Sequence, residues 1–300
     1  MEGLVKTGFA LAAAGVLLVT ATTMTAISAS QPNRVSVSYV PPKNPAHERI
    51  YKDLKENRAL EKLQELLSPF QLPRTLKFSV AGCDGESDAV YGDDAITICY
   101  EYLDHLWKNM PAKTTAAGIA PIDAVIGPFV DTSLHEFGHA LFDMLDLPVF
   151  GREEDAADQV AAYIYLQLGK AEARRLIMGT AYAHFGEAKG DDAPQSPEEF
   201  AEDFASEHGM PQQRAYNVLC IAYGADPKLF SDVVTKGYLP EERAEICEEE
   251  YGQVQDAFEE LVGPHIDRAL AKKNMDRTWL RKADTRSHRG RGSPHAKQER

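Results

Sequence analysis

The chain has 300 residues and a formal net charge of −14, with 44% hydrophobic and 26% charged residues and a mean hydropathy of −0.35. This composition excludes a membrane helix bundle, a collagen-like repeat and a disordered polymer, and the length allows one large domain or two small ones. The charge is uneven, because residues 268–300 carry a net +8 and the remainder carries −22. Since an acidic body repels phosphate groups, we expect no nucleic-acid partner.

The first thirty residues predict export. No charged residue lies between Lys6 and Arg34, and small residues follow an apolar run over residues 8–20. This order is typical of a cleaved signal peptide, with the mature chain starting between Ser28 and Gln31. The alternative is an uncleaved membrane anchor, since the uncharged span is long enough to cross a bilayer. In both cases the body faces an oxidising periplasmic or extracellular space.

The rest of the chain divides into a Pro-rich linker over residues 31–46, one domain over 47–271 and a basic tail over 272–300, which we expect to be disordered. The domain begins with an amphipathic helix over residues 47–67, continues with short strands over 76–99, and is mostly helical from Tyr100 onward. The predicted fold class is therefore α+β, a helix-rich domain with a small antiparallel sheet before the long helical segment over residues 121–147. The tail and the N-terminal segment are the candidate points of membrane or envelope association.

Four cysteines in an exported chain predict disulfides. Cys83 and Cys99 flank an acidic turn, whereas Cys220 and Cys247 lie on two later helical patterns. This spacing favours the two local pairs among the three connectivities. A zinc site built from all four cysteines is the weaker alternative, because the sequence has no C-x-x-C pair.

Residues 135–139 read His-Glu-Phe-Gly-His, which is the H-E-x-x-H arrangement. In a helix, His135 and His139 project from one face, where both imidazoles can bind one Zn²⁺ ion. Glu136 would lie beside the metal, take a proton from the metal-bound water and pass it to the leaving amine. The segment therefore predicts a hydrolytic centre with one Zn²⁺ per chain.

Catalytic zinc sites use three protein ligands, so a third ligand is needed. Glu154 and Asp158 lie one turn apart on the next helical pattern, after a turn that can reverse the chain. We expect Glu154 to be the third ligand and Asp158 to accept a hydrogen bond from the other ring nitrogen of a ligand histidine, preferably His135. Glu153 and Asp158 are the alternative ligands. The non-metal alternative is an acidic helix N-terminus, stabilised by the helix dipole.

The segment over residues 207–217 supplies candidates for stabilising the oxyanion that forms during attack on a carbonyl. Arg214 and His208 are the first candidates, ahead of Tyr216 and Tyr223. In the alternative interpretation, the tyrosines have the helical spacing of core residues and Arg214 pairs with one of the many acids.

The H-E-x-x-H motif followed by Glu154-x-x-x-Asp158 resembles the gluzincin class of zinc metallopeptidases. More closely, residues 83–102, 135–163, 207–227 and 239–265 resemble a family of exported bacterial proteins classed as metallopeptidases, and the resemblance spans residues 45–268. It implies a zincin-like fold, both cysteine pairs and hydrolysis of peptide or protein substrates. The competing hypotheses are a non-catalytic exported zinc-binding protein and an envelope-interaction protein that acts through its tail.

Overall fold

A computed structural model describes residues 34–189 and 194–275. Within these residues the chain forms four strands and twelve α-helices, and the α+β, helix-rich class is confirmed. The strands are β1 (Val35–Tyr39), β2 (Leu76–Ala81), β3 (Ala89–Gly92) and β4 (Ala95–Cys99). The helices are α1 (Glu48–Glu56), α2 (Ala59–Leu67), α3 (Tyr100–Asn109), α4 (Asp123–Met144), α5 (Glu153–Leu166), α6 (Lys170–Glu187), α7 (Pro197–Ala205), α8 (Pro211–Ala225), α9 (Ser231–Thr235), α10 (Glu241–Ala244), α11 (Cys247–Leu261) and α12 (Arg268–Met275).

The predicted signal peptide and residues 276–300 of the predicted tail lie outside the described residues. Residues 272–275, at the start of that tail, form the last turn of α12. None of the helices within the described ranges is long and apolar enough to cross a membrane.

The sheet is mixed, which corrects the prediction of an antiparallel one. Its strand order is β1-β2-β4-β3, and only β3 and β4 are antiparallel. Asp93 and Asp94 join these two strands with φ angles of 50° and 58°, the backbone that a tight two-residue hairpin requires. The pairs β1–β2 and β2–β4 are parallel, because longer connections separate those strands and return the chain to the same end of the sheet.

Two segments differ locally from the sequence-based expectation. Strand β1 occupies part of the predicted linker, since the alternation Val35-Ser-Val37-Ser-Tyr39 allows one face of the segment to pack inward. The helix predicted over residues 47–67 is broken into α1 and α2 at Arg58, whose φ is 52°. The apolar positions Leu54 and Leu60 are six residues apart, so one continuous helix could not place both on the same face.

Helix α4 is central to the packing, because 17 of its 22 residues are buried. It contacts α5, α6, β3 and β4. Near its C-terminal end, Asp143 accepts hydrogen bonds from the Tyr91 hydroxyl (2.6 Å) and from Arg74 Nη2 (2.7 Å), which ties α4 to the β3–β4 hairpin. Helix α4, which carries the H-E-x-x-H motif, is therefore fixed by contacts with helices α5 and α6 and with the sheet.

Helices α4 and α6 approach so closely that their backbones meet at Gly127 and Gly179. A Cβ atom built on Gly127 would lie 2.8 Å from the Gly179 backbone, and one built on Gly179 would collide with the backbone oxygen of Asp123. Backbone atoms cannot rotate away as a side chain can, so this crossing requires glycine.

We expect Gly179→Ala to lower the free energy of unfolding by about 3 kcal/mol or more, the upper end of the usual cost of overpacking. Gly186→Ala, on the same helix, is the matched control, because nothing lies within 4 Å of an added Cβ there. That control should stabilise the protein by up to about 1 kcal/mol through helix propensity. Urea unfolding of both variants measures the difference, and equal stabilities would contradict the close crossing.

Cysteines 83 and 99 form one disulfide and cysteines 220 and 247 form the other, which are the local pairs favoured by the spacing. This pairing excludes a zinc site built from all four thiolates. The first bond joins the connection after β2 to the last residue of β4. The Glu101 carboxylate accepts hydrogen bonds from the backbone N–H groups of Cys83 and Gly85 in the same connection. The second joins α8 to α11. Two disulfides are typical of a protein in an oxidising environment.

Candidate active site

The two histidines of the H-E-x-x-H motif lie one turn apart on the face of α4 that packs against α5. His135 is 4% exposed and His139 is 15% exposed at the side chain. Their Nε2 atoms are 3.2 Å apart. The helical repeat thus directs both imidazoles to the same point, as the spacing predicts.

Helix α5 brings Glu154 to that point because α4 and α5 are in near backbone contact. Gly138 faces Ala157, and a Cβ atom built on Gly138 would lie 3.1 Å from the Ala157 Cα. At this crossing Glu154 Oε2 lies 3.0 Å from His135 Nε2 and 3.4 Å from His139 Nε2. Three side chains from two helices therefore place one potential metal-ligand atom each within 3.4 Å of the other two.

Two further carboxylates determine which ring nitrogens carry hydrogen. Asp158 Oδ1 lies 2.8 Å from His135 Nδ1, and Glu153 Oε1 lies 2.8 Å from His139 Nδ1. An ionised carboxylate only accepts hydrogen bonds, so each Nδ1 is the donor. In a neutral imidazole the Nε2 atom is then left with its lone pair, directed at the shared point.

The two Nε2 atoms and the Glu154 oxygen fit a metal ion as ligands. Two lone pairs and a carboxylate oxygen repel one another at 3.0–3.4 Å unless positive charge lies between them. A tetrahedral Zn²⁺ with bonds of about 2.0–2.1 Å separates its ligand atoms by about 3.3 Å, which agrees with these spacings. The chemistry of the site is that of a centre with two histidines and one glutamate.

The pKa values of His135 and Glu154 also indicate that the site favours a positive charge. Burial by itself would lower the pKa of His135, but the hydrogen bonds to Asp158 and Glu154 outweigh burial and raise it from 6.5 to about 9. The hydrogen bond with His135 lowers the pKa of Glu154 to about 2. Without a metal, a proton on His135 supplies the missing positive charge.

Glu136 is the acid of the motif, and it lies next to the three potential metal ligands. Its side chain is mostly buried, and burial raises the pKa of its carboxyl group. Among the described residues this carboxyl group has neither a hydrogen-bond partner nor an ion-pair partner. A carboxylate with a raised pKa is a stronger base than an ordinary one, and free oxygens leave it able to accept a proton.

Arg214 and His208, the two oxyanion candidates, have different surroundings. Arg214 donates from Nε and Nη2 to the two oxygens of Asp158, at 2.8 and 2.7 Å. His208 Nε2 lies 2.8 Å from Glu154 Oε2, and its side chain is 50% exposed. With His135 and Glu154, His208 completes a group whose ligand atoms all lie within 4.8 Å of one another, so it is also a further candidate ligand.

The site opens into a cleft of about 880 Å³. Its lining comes from β3, which is an edge strand of the sheet, from α4 and α5, and from the segment between α7 and α8. The residues that line it are Ser87, Asp88, Ala89, Val90, Tyr91, Tyr102, Thr132, His135, Glu136, His139, Arg152, Glu153, Glu154, His184, Glu187, Ala205, Ser206, Glu207, His208 and Arg214. Tyr216 and Tyr223 are not among them.

Sequence reasoning missed a buried polar cluster behind the site. Tyr165 donates to Asp131 Oδ1 at 3.0 Å, His184 Nε2 lies 3.9 Å from Asp131 Oδ2, and His184 Nδ1 lies 3.2 Å from Glu187. Burial raises the pKa of Asp131. In the sequence, only the position of Asp131, one turn before His135 on the same helix, indicated that a polar group would lie there. The other members of the cluster come from α5 and α6.

One comparison with known proteins identifies a family for this chain. No curated protein and no solved structure shows significant similarity to the chain. The family model described as "Putative metallopeptidase" matches residues 39–262 and includes every residue of the centre. Because this match covers more than half of the chain, the protein belongs to that family.

Proposed function

We propose that the protein is an exported metallopeptidase that hydrolyses peptide bonds with the help of Zn²⁺. The observation that carries this proposal is the convergence of His135, His139 and Glu154 on one point beside the free carboxylate of Glu136. Membership of a metallopeptidase family supports peptide hydrolysis as the reaction. The open cleft supports a catalytic rather than a purely structural centre, because structural zinc sites are closed.

In this proposal His135, His139 and Glu154 hold the ion, and Glu136 handles the proton. A bound Zn²⁺ would polarise the substrate carbonyl and make water a stronger acid. Glu136 would remove a proton from the attacking water and deliver it to the leaving nitrogen. Its raised pKa suits both tasks, since the same group must first be a base and then an acid.

His208 is the better candidate for the oxyanion. Two donor groups of Arg214 are engaged by Asp158, whereas the half-exposed ring of His208 lines the cleft and has its Nε2 atom at the centre. A neutral His208 with hydrogen on Nε2 donates to Glu154 in the free protein. The same N–H group could turn to a developing oxyanion when substrate is present.

The edge strand β3 supports a peptide as substrate. No described strand pairs with its outer edge, and its residues 89–91 line the cleft. An extended peptide can add to such an edge through main-chain hydrogen bonds, which bind any sequence, while neighbouring side chains provide selectivity. Export is supported by the two disulfides and by the signal-like N-terminus in the sequence.

Metal removal tests the proposal. We expect the mature protein to contain about one Zn²⁺ per chain and to cleave members of a peptide library. Dialysis against a chelator should abolish cleavage, and stoichiometric Zn²⁺ should restore it. Elemental analysis and mass spectrometry of the products provide the two measurements. One Zn²⁺ per chain without cleavage of any peptide would instead favour the non-catalytic zinc-binding protein.

A further inference from the structure

We infer that Arg214 is a positioning residue, which orients the candidate ligand His135 through the carboxylate of Asp158. This inference rests on the proposed function, because it assigns His135 to the metal. It concerns a contact between α8 and α5 that sequence spacing does not predict. It also replaces the role in oxyanion binding considered above for Arg214.

The geometry is a continuous chain of short contacts across three helices. Arg214 on α8 donates from Nε to Asp158 Oδ2 (2.8 Å) and from Nη2 to Asp158 Oδ1 (2.7 Å). Asp158 on α5 accepts at Oδ1 from His135 Nδ1 on α4 (2.8 Å). The side chains of Arg214 and Asp158 are 19% and 22% exposed, so water competes little with these contacts.

The two parallel hydrogen bonds define the plane of the Asp158 carboxylate. A guanidinium group is a rigid fork that matches both carboxylate oxygens, whereas an ammonium group is a single point of charge. With both oxygens engaged, Oδ1 is held in the direction of the His135 ring. The orientation of that ring therefore depends on α8 as well as on α5.

Arg214 also compensates a buried negative charge. Asp158 lies in the field of Asp131, and Glu187 contributes to the field at Arg214. Removing the guanidinium would leave the Asp158 carboxylate poorly compensated in a partly buried site, which is costly. The carboxylate would then rotate towards water and away from His135.

This rotation has a defined consequence for His135. A neutral ring whose Nδ1 has lost its acceptor gains by placing its hydrogen on Nε2 and donating to Glu154, 3.0 Å away. An imidazole with hydrogen on Nε2 cannot bind a metal through that atom. Arg214 thus favours the one tautomer in which His135 can be a ligand.

The experiment compares Zn²⁺ affinity among variants, measured by competition with a chelator of known affinity. We expect Arg214→Met to weaken Zn²⁺ binding by about 10-fold, within the range for groups that support a ligand histidine. Arg214→Lys should weaken it by a similar factor, because it keeps the charge and loses the fork. Asp158→Asn should weaken it at least as much.

Arg174→Met is the matched control. Arg174 also contacts both oxygens of an aspartate, because its Nη2 atom donates to Asp232 Oδ1 and Oδ2 at 2.8 and 2.9 Å. Its exposure is similar to that of Arg214, and it is not among the residues that line the cleft. Its loss should lower the melting temperature comparably and leave Zn²⁺ affinity unchanged. A general loss of packing would instead move both variants in both measurements.

A double-mutant cycle separates positioning from direct action on substrate. If Arg214 acts through Asp158, Arg214→Met should weaken Zn²⁺ binding no further in the Asp158→Asn background. Unchanged Zn²⁺ affinity in Arg214→Met, together with a lower kcat/KM, would overturn the inference and return Arg214 to the oxyanion.

A measurement without metal distinguishes failure of this inference from failure of the proposed function. In the metal-free protein, NMR of the histidine rings should show a hydrogen-bonded Nδ1–H proton on His135, facing Asp158 Oδ1 at 2.8 Å, and Arg214→Met should weaken that hydrogen bond. An unchanged His135 spectrum in Arg214→Met would refute the positioning role. A wild-type protein that binds no Zn²⁺ but shows the expected spectra would refute only the zinc peptidase.

Discussion

Replacing Glu136 by Gln is expected to abolish peptide hydrolysis and to leave Zn²⁺ bound. Glutamine has nearly the same shape as glutamate but cannot take up a proton, so the substitution removes general base catalysis alone. We expect kcat to fall by about 10²–10⁴-fold, the usual contribution of a positioned acid–base group. Product analysis under saturating peptide and elemental analysis of the same sample provide the two measurements.

Glu207→Gln is the matched control for this prediction. Glu207 lines the same cleft but is exposed, so the substitution makes the same change in charge without touching the three donor groups. Its kcat should stay within about a factor of two of wild type, as expected for a surface change. Turnover retained by purified Glu136→Gln would remove Glu136 from the mechanism.

Glu154→Gln is expected to weaken Zn²⁺ binding far more than Glu153→Gln, although the two residues are neighbours in sequence. Glu154 Oε2 lies within 3.4 Å of both histidine Nε2 atoms, whereas Glu153 contacts only the far nitrogen of His139. A group that supports a ligand histidine typically accounts for about 10–100-fold in metal affinity, which is our expectation for Glu153→Gln. Loss of the ligand itself should exceed about 100-fold for Glu154→Gln, and His139→Ala should equal it.

Chelator competition on the three purified variants tests this ranking, with circular dichroism to check that each one folds. Because Glu153 and Glu154 carry the same charge in the same first turn of α5, a general electrostatic effect would change both affinities equally. The opposite ranking would assign the third ligand to Glu153. Equal, small effects would favour the interpretation that these acids only stabilise the helix N-terminus.

Much of the candidate site could be predicted from the sequence, because its members repeat with helical spacing. His135 and His139 are four residues apart on α4, as are Glu154 and Asp158 on α5, and side chains at that spacing share a face whatever surrounds the helix. The pairing of each cysteine with its nearer partner follows from short loop closure. The helix-rich class likewise follows from local periodicity.

The sheet and the first helical segment show where local patterns stop being informative. Alternation in Val35–Tyr39 is the same for a parallel and an antiparallel strand, so only the path of the chain decided that β1 pairs in parallel with β2. Arg58 has a left-handed backbone because the two halves of residues 47–67 must bury different faces. Burial of those faces depends on partners that are distant in sequence.

The sequence by itself determined the chemistry of this protein, namely which donor types stand at helical spacing and which carboxylate is left beside them. Only the tertiary structure decided which of these side chains contact one another. The close approach of α4 and α5 at Gly138 brings Glu154 to the two histidines, and the approach of α8 brings Arg214 to Asp158 and leaves His208 facing the cleft. Contacts of this kind join residues 15–56 positions apart, where helical periodicity carries no information and packing of the whole core sets the distances.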